Sequence, residues 1–234
     1  MTDATHTPAA RLSGVRKSYS EAQGVREVLH GVDLELARGE FVVLVGRSGS
    51  GKTSLVHVLS GIDRATSGRV ELYGEDLTAA SEERLTAVRR ERIGLVFQFF
   101  NLLPTLTVEE NLLLPLELAG RLDAPRRKRA LELLDAVGLA DHRAKFPERL
   151  SGGEQQRAAV ARALAHDPEL VIADEPTGNL DDENALAVLA LFAKLLRPSR
   201  KTLLMVSHSA LACDIADRVL ELRDGRLLER SSSR

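Results

Sequence analysis

The sequence has few of the residues that mark disulfide-bonded, secreted or membrane-spanning proteins. Its 234 residues include one cysteine, Cys213, and no tryptophan, and aromatic residues make up 3%. A single cysteine excludes an internal disulfide framework and fits a reducing compartment. The first ten residues, "MTDATHTPAA", have no apolar core. We therefore expect no signal peptide there.

Long apolar runs and a strong charge of either sign are also missing. The longest notable uncharged run, 93–108, is too short and too polar to span a bilayer. The formal net charge of −2 argues against attraction to nucleic acid or anionic lipid. With 44% hydrophobic and 28% charged residues, the chain suits one globular domain. Any membrane role is expected to come through a partner protein, and no nucleic-acid partner is expected.

Apolar, strand-like runs alternate with helical patterns along most of the chain. The predicted strands are 40–46, 92–98, 169–174, 201–208 and 218–227. The last of these contains Asp224-Gly225, a hairpin signal. The predicted helices are 52–62, 154–167 and 183–196. This alternation predicts an α/β domain around a largely parallel sheet.

One long stretch departs from the alternation. Residues 99–150 are leucine-rich and then charged, with no clear strand, which predicts a helical insert carried on the α/β core. We expect Leu112 to Leu116 to pack inside this insert. Residues 1–10 and 229–234 are expected to be flexible tails, which leaves one domain over 11–228.

The segment "GRSGSGKT" (46–53) matches G-x-x-x-x-G-K-[ST] between a predicted strand and a predicted helix. Glycines let such a loop curl so that its N–H groups point at phosphate oxygens. Lys52 would place a cation on the β- and γ-phosphates, and Thr53 would offer a hydroxyl to Mg²⁺. A phosphate grip is therefore predicted at Gly46, Arg47, Ser48, Gly49, Ser50, Gly51, Lys52, Thr53 and Ser54.

A second carboxylate site follows in "ELVIADEPTGNLD" (169–181). Asp174 ends an apolar strand, where open α/β sheets bind ligands, and it could hold the Mg²⁺ shell. Glu175 could orient or deprotonate an attacking water. Alone, Asp-Glu-Pro would indicate a strand-ending turn, but beside the phosphate grip it favours hydrolysis over transfer to a substrate. No Asn-Lys-x-Asp that would read guanine is present, which disfavours a GTPase.

"LSGGEQQR" (150–157) supports two interpretations. Ser151 and Glu154 match the capping box that begins an ordinary helix. Gly152 and Gly153 are costly in a first turn, and they leave its N–H groups open to a phosphate.

Taken in this order, the three motifs resemble those of the ATP-binding cassette (ABC) ATPases, with a match from Leu12 to about Leu228. The resemblance implies ATP hydrolysis with ATP and Mg²⁺ as cofactors. It also implies a P-loop NTPase core with a mainly parallel sheet (about 11–98 and 151–228), an antiparallel β subdomain and an inserted all-helical subdomain.

Roles for further residues come from the same resemblance. Tyr19 would stack on adenine, Gln98 would sense Mg²⁺ and the attacking water, and His208 would contact the γ-phosphate. Asp181 would communicate across a dimer, although as a residue type it also suits a helix N-cap. Two cassettes of the family close head to tail, so the resemblance implies a homodimer. In it, Ser151, Gly152 and Gly153 of one copy meet the nucleotide held by the other, and the catalytic set is Lys52, Gln98, Glu175 and His208.

A narrower resemblance rests on three segments together: "FQFFNLLPTLTVEENLLLPL" (97–116), "SGGEQQRAAVARAL" (151–164) and "ADEPTGNLD" (173–181). They are similar to those of the lipoprotein-releasing (LolD-type), macrolide-exporting (MacB-type) and cell-division (FtsE-type) subgroup. That similarity implies separate permease subunits docking near Phe99–Leu103, at the cytoplasmic face of the inner membrane. An exposed apolar stripe of Phe99, Phe100, Leu102 and Leu103 would suit this docking. A cell-division ATPase that signals without transport stays open, as does, less favoured, an ABC ATPase with no transport role.

Overall fold

The computed structural model describes residues 7–22 and 24–229, and their strands form two sheets. The first is antiparallel and consists of β1 (Ala10–Glu21), β2 (Gly24–Leu36), β4 (Ser67–Leu72) and β5 (Glu75–Asp76), in the order β2-β1-β4-β5. The expected antiparallel β subdomain is thereby confirmed.

The second sheet is the parallel core. It consists of β3 (Phe41–Val45), β6 (Ile93–Phe97), β7 (Leu170–Asp174), β8 (Thr202–Val206), β9 (Arg218–Arg223) and β10 (Arg226–Glu229), in the order β10-β9-β3-β8-β7-β6. All neighbours are parallel except the β9–β10 hairpin, which turns at Asp224-Gly225 as predicted. β8 is buried along its whole length, because helices and the antiparallel sheet cover the two faces of the core.

The α-helices of the described residues include those that sequence periodicity predicts. They are α1 (Lys52–Leu59), α2 (Glu82–Arg92), α3 (Val108–Leu118), α4 (Ala124–Ala136), α5 (Gly152–Leu164), α6 (Asp182–Leu196) and α7 (Ala210–Asp214). Short 3₁₀ turns lie at Ala140–His142 and Pro147–Arg149. The pattern missed α2 because only Leu85 and Val88 of that helix are buried.

Two predicted helices end earlier than expected. α1 was predicted to reach residue 62, but it ends at Leu59, since Gly61 turns the chain at φ 67° and Ile62 is 43% exposed. α5 ends at Leu164 because Asp167 adopts a left-handed φ of 62°. In both places a residue in the left-handed region turns the backbone and ends the helix.

The all-helical insert is present, and its apolar residues form a core of their own. Leu112, Leu113 and Leu116 of α3 pack against Leu134 of α4 and Ala161 of α5. The expectation that 112–116 pack inside the insert is confirmed for these three leucines, whereas Leu114 and Pro115 are half-buried and lie outside that core. α5 therefore joins the insert to the parallel core, since Val160 and Leu164 on the same helix pack against the strands.

Strands and buried residues extend slightly past the expected domain limits of 11 and 228 at both ends. Ala9 is fully buried and donates its N–H to Leu36 O at 2.8 Å, and β1 begins at Ala10. β10 extends to Glu229. The rest of both predicted tails, 1–6 and 230–234, lies outside the described residues. Within the described part of the chain, no helix is long and apolar enough to cross a membrane.

Parallel topology explains how distant motifs meet. β3 leads into 46–53, β6 into Gln98, β7 into Glu175 and β8 into His208. Because these strands are parallel neighbours, their carboxyl ends lie along one edge of the sheet.

Candidate nucleotide site

A cavity of about 660 Å³ opens at this edge of the parallel sheet. It brings together eleven predicted site residues: Tyr19, Ser48, Gly49, Gly51, Lys52, Thr53, Ser54, Gln98, Asp174, Glu175 and His208. Four further lining residues, Glu21, Arg26, Val28 and Gly178, were missed. The first three lie on the β1–β2 ribbon, where no motif indicates a ligand.

The backbone geometry of the loop 46–53 explains why glycine occupies positions 46 and 51. Gly46 has φ 155°, and a Cβ there would lie 2.3 Å from Leu222 O, so β9 leaves no space for a side chain. Gly51 adopts the left-handed region at φ 102° and begins α1 as its N-cap. The sequence thus places the start of a helix, with its free N–H groups, directly under the cavity.

Lys52 is folded back onto this loop. Its ammonium donates to Gly46 O at 2.7 Å and to Arg47 O at 3.1 Å. Burial lowers the pKa of Lys52, and the nearby carboxylates of Glu175 and Asp174 oppose that shift. A buried cation held by carbonyl oxygens is ready to exchange them for phosphate oxygens.

Two carboxylates face the cation. Thr53 Oγ1 donates to Asp174 Oδ2 at 3.5 Å. Burial raises the pKa of Asp174, while His57, Thr53 and Lys52 lower it. Glu175 follows with a left-handed φ of 49°, anchored by its N–H to Val206 O at 2.9 Å. Burial also raises the pKa of Glu175, which brings it closer to the range useful for a general base.

The ring of His208 lies between Glu175 and Lys52. Its Nε2 lies 3.1 Å from Glu175 Oε1 and 3.2 Å from Lys52 Nζ. Gln98, at the end of β6, donates from Nε2 to Asn179 Oδ1 at 3.0 Å, and Asn179 Nδ2 donates back to Gln98 O at 3.2 Å. Sequence reasoning missed Asn179, although it lies in the predicted segment 169–181.

Tyr19 lies at the mouth of the cavity. Its hydroxyl is within hydrogen-bond distance of Ser54 Oγ (3.2 Å) and Asp63 Oδ2 (3.1 Å), and Lys17 Nζ lies 4.7 Å from its ring centre. Tyr19 is thus a half-buried residue of β1 that also lines the cavity.

The start of α5 forms the predicted capping box. Glu154 N donates to Ser151 Oγ at 3.3 Å, and Ser151 N donates to Glu154 Oε2 at 2.7 Å. Ser151 and Gly152 are exposed, and the lining of the cavity includes neither of them nor Gly153. The structure thus separates this motif from the cavity of its own chain.

The two glycines of this motif have different surroundings. A Cβ on Gly153 would lie 2.1 Å from Asn184 Oδ1, so the Asn184 side chain of α6 would have to move to admit a larger residue there. A Cβ on Gly152 would meet only ordinary contacts at 3.7 Å, from Leu180 and Phe100. Internal packing does not explain Gly152. Asp181 is the N-cap of α6, since it accepts from Asn184 N at 2.9 Å.

The predicted docking segment, Phe99–Leu103, is only partly exposed. Phe99 is 74% and Leu103 43% exposed, whereas Phe100 is half-buried and Leu102 packs against the insert, so the expected four-residue stripe is incomplete. Phe100 and Asn101 both adopt a left-handed φ of 52°. Arg162 of α5 donates to the carbonyl oxygens of both, which ties this segment to the motif helix.

A loop whose N–H groups and lysine face paired carboxylates is typical of P-loop nucleoside triphosphatases. Comparison with known proteins narrows this class. The profile described as "ABC transporter" matches residues 29–178. An uncharacterized ABC transporter ATP-binding protein of Mycobacterium tuberculosis is 48% identical over 94% of this chain and 89% of its own length. The lipoprotein-releasing system ATP-binding protein LolD 1 of Rhodopseudomonas palustris is 46% identical over 93% and 97%.

Comparison with solved structures points to the same family. The dimeric post-hydrolysis state of the ATP-binding cassette MJ0796, bound to ADP and Pi, superposes with a TM-score of 0.86 at 35% identity, covering 94% of this chain and 98% of its own. The chain belongs to the ABC transporter family. It is an ATP-binding cassette and an ATPase.

Proposed function

We propose that two copies of this chain close head to tail around two ATP molecules and drive a separate membrane permease. One observation carries the proposal: the start of α5 is exposed and lies outside the lining of its own chain's cavity, although its free N–H groups suit a phosphate. A second copy is therefore needed to bring Ser151 and Gly152 to the nucleotide. The dimeric MJ0796 cassettes support this arrangement.

The residues around Thr53 fit a magnesium ion. Mg²⁺ prefers oxygen ligands and keeps several waters, and Thr53 Oγ1 and Asp174 Oδ2 already converge at 3.5 Å. Gln98 can add an amide oxygen from the end of β6. When bound, the ion would neutralise charge on the β- and γ-phosphates. Asp174, whose pKa burial raises, would gain a cation that stabilises its ionised form.

In the proposed hydrolysis, four side chains that line the cavity have distinct roles. Glu175 accepts a proton from the attacking water, which its raised pKa favours. Lys52 leaves the carbonyls of Gly46 and Arg47 for the β- and γ-phosphate oxygens. His208, 3.1 Å from Glu175, steadies the base and faces the γ-phosphate. Tyr19 contributes a planar ring at the mouth of the cavity for adenine.

The ATP-driven closure of the dimer is proposed to move a permease that is docked at the cytoplasmic face of the inner membrane. Phe99, 74% exposed at the start of Phe99–Leu103, offers an apolar contact to it. The LolD-named relatives favour the lipoprotein-releasing branch. A partner that signals without transport is the second candidate, because the same surface would serve it.

The test is to separate ATP binding from hydrolysis. Glu175→Gln keeps the size of the side chain but cannot accept a proton, so we expect ATP to hold a dimer while turnover falls by about 10³-fold. Size-exclusion chromatography with light scattering, with and without ATP, measures the dimer. Glu183→Gln, an exposed carboxylate in the first turn of α6, is the matched control and should behave as wild type. A Glu175→Gln protein that stays monomeric with saturating ATP contradicts the proposed dimer.

A further inference from the structure

A histidine of the insert touches the capping box of α5. Nε2 of His142 lies 3.3 Å from Glu154 Oε1, and both side chains are about a quarter exposed (24% and 25%). The other oxygen of Glu154 accepts the N–H of Ser151 at 2.7 Å. That bond is the main cause lowering the pKa of Glu154, so its side chain is an ionised carboxylate that only accepts hydrogen bonds.

Only one of the two ring nitrogens of His142, Nε2, faces Glu154. Nδ1 is buried without a hydrogen-bond partner among the described residues. A proton there would be a buried donor lacking an acceptor, which is costly. The proton therefore belongs on Nε2, toward the carboxylate of Glu154.

The segment that follows His142 is bonded to the start of α3. Glu109 N donates to Arg143 O at 3.0 Å, and Val108 N donates to Lys145 O at 2.9 Å. These are first-turn N–H groups that α3 cannot satisfy by itself. The position of α3 thus sets the position of the segment carrying His142.

α3 in turn holds the docking segment. Asn111, 1% exposed, accepts Leu103 N at 2.8 Å through Oδ1 and donates to Leu103 O at 3.0 Å through Nδ2. A continuous series of contacts therefore runs from Leu103 through α3 and His142 to Glu154 and Ser151.

We propose that His142 is a positioning residue: through Glu154 it sets the start of α5, and it transmits movement of Phe99–Leu103 to the surface that meets the partner's nucleotide. This inference rests on the proposed function. His142 lies outside the nucleotide cavity of its own chain, so it acts through Glu154 and touches no reacting atom.

Two amide substitutions test the contact while keeping the residue polar. In His142→Gln the amide nitrogen reaches about as far as Nε2, whereas in His142→Asn it reaches only as far as Nδ1. Lys145→Ala is the matched control in the same segment, because Lys145 is exposed and joins the series through its backbone carbonyl. All three variants are compared with the parent by thermal unfolding.

The first measurement needs no nucleotide. Amide hydrogen exchange over 151–155 should be about fivefold faster in His142→Asn and within about twofold of the parent in His142→Gln, as expected for loss of one contact to a charged group. Equal exchange in the Asn and Gln variants would overturn the proposal, because a residue that only fills space would not distinguish their reach.

The second measurement adds ATP. In a Glu175→Gln background, His142→Asn should need about fivefold more ATP for half-maximal dimer, and His142→Gln should not. An unshifted ATP dependence in His142→Asn overturns transmission to the partner surface. If every variant and the parent stay monomeric, the proposed dimer is contradicted, while the exchange comparison still decides whether His142 positions Ser151.

Discussion

Nε2 of His208 lies 3.1 Å from Oε1 of Glu175. The same nitrogen is 3.2 Å from Lys52 Nζ, so it can accept from the lysine only when it carries no proton, and it can donate to the glutamate only when it does. These alternatives exclude each other. His208 Nε2 therefore pairs with either Glu175 or Lys52 at a given moment and not with both.

The pH dependence of turnover should report the pKa of Glu175. As the proposed general base, Glu175 would act as a carboxylate. Burial raises its pKa above the ordinary 4.5, so activity should fall on acidification at a higher pH than an ordinary glutamate would give. The charge of His208 lowers this pKa, so His208→Ala should move the acidic limb to still higher pH. Steady-state ATPase rates between about pH 5 and 9 measure the acidic limb of the parent and of His208→Ala. A limb that stays in place or moves down would refute the electrostatic pairing.

The two glycines of 152–153 should fail in different ways. Gly153→Ala pushes a Cβ into Asn184 Oδ1, so we expect a loss of about 2 kcal/mol in the free energy of unfolding. Gly152→Ala has space for its Cβ, so it should keep the stability of the parent and yet weaken ATP-driven dimerisation about tenfold. Urea unfolding and light scattering with ATP compare them. Similar stability loss in both variants would show that Gly152 also serves packing.

Ser151→Ala separates the cap from the phosphate contact. Loss of the cap of α5 should cost about 1 kcal/mol. Ser81→Ala is the matched control, because Ser81 caps α2 through Arg84 N at 3.2 Å and lies outside the lining of the nucleotide cavity. We expect similar losses of stability, but a higher ATP requirement for dimerisation only in Ser151→Ala. Identical dimerisation curves for the two variants would leave Ser151 with a structural role alone.

Arg162→Met should loosen the docking segment. The guanidinium donates to the carbonyls of Phe100 and Asn101, both in left-handed conformations, and its loss removes these two hydrogen bonds. We expect a destabilisation of about 2 kcal/mol, faster amide exchange over 99–102 and unchanged ATP affinity. Arg129→Met, which removes an exposed ion pair with Asp167, is the control and should change stability by less than about 0.5 kcal/mol. Unaltered exchange over 99–102 would show that the hydrogen bonds from Arg162 do not hold this segment in place.

The sequence alone predicted the phosphate grip, the carboxylates at the end of β7, the alternation that builds a parallel sheet and the all-helical insert. These features depend on local chemistry: loop glycines, β-branched runs and helical periodicity within one segment. Where a helix ends is less local. Ile62 continues the apolar pattern of α1, but the turn at Gly61 ends that helix first.

Only the tertiary structure decided relations between segments far apart in the chain. Whether a glycine is needed for packing or for a ligand depends on its neighbours, and Asn184 distinguishes Gly153 from Gly152. Glu21, Arg26 and Val28 border the cavity because the β1–β2 ribbon folds over the loop, which no short motif records. The contact between His142 and Glu154 exists because α3, α4 and α5 pack around one apolar core. Side-chain contacts across such distances follow from packing, and packing is a property of the whole fold.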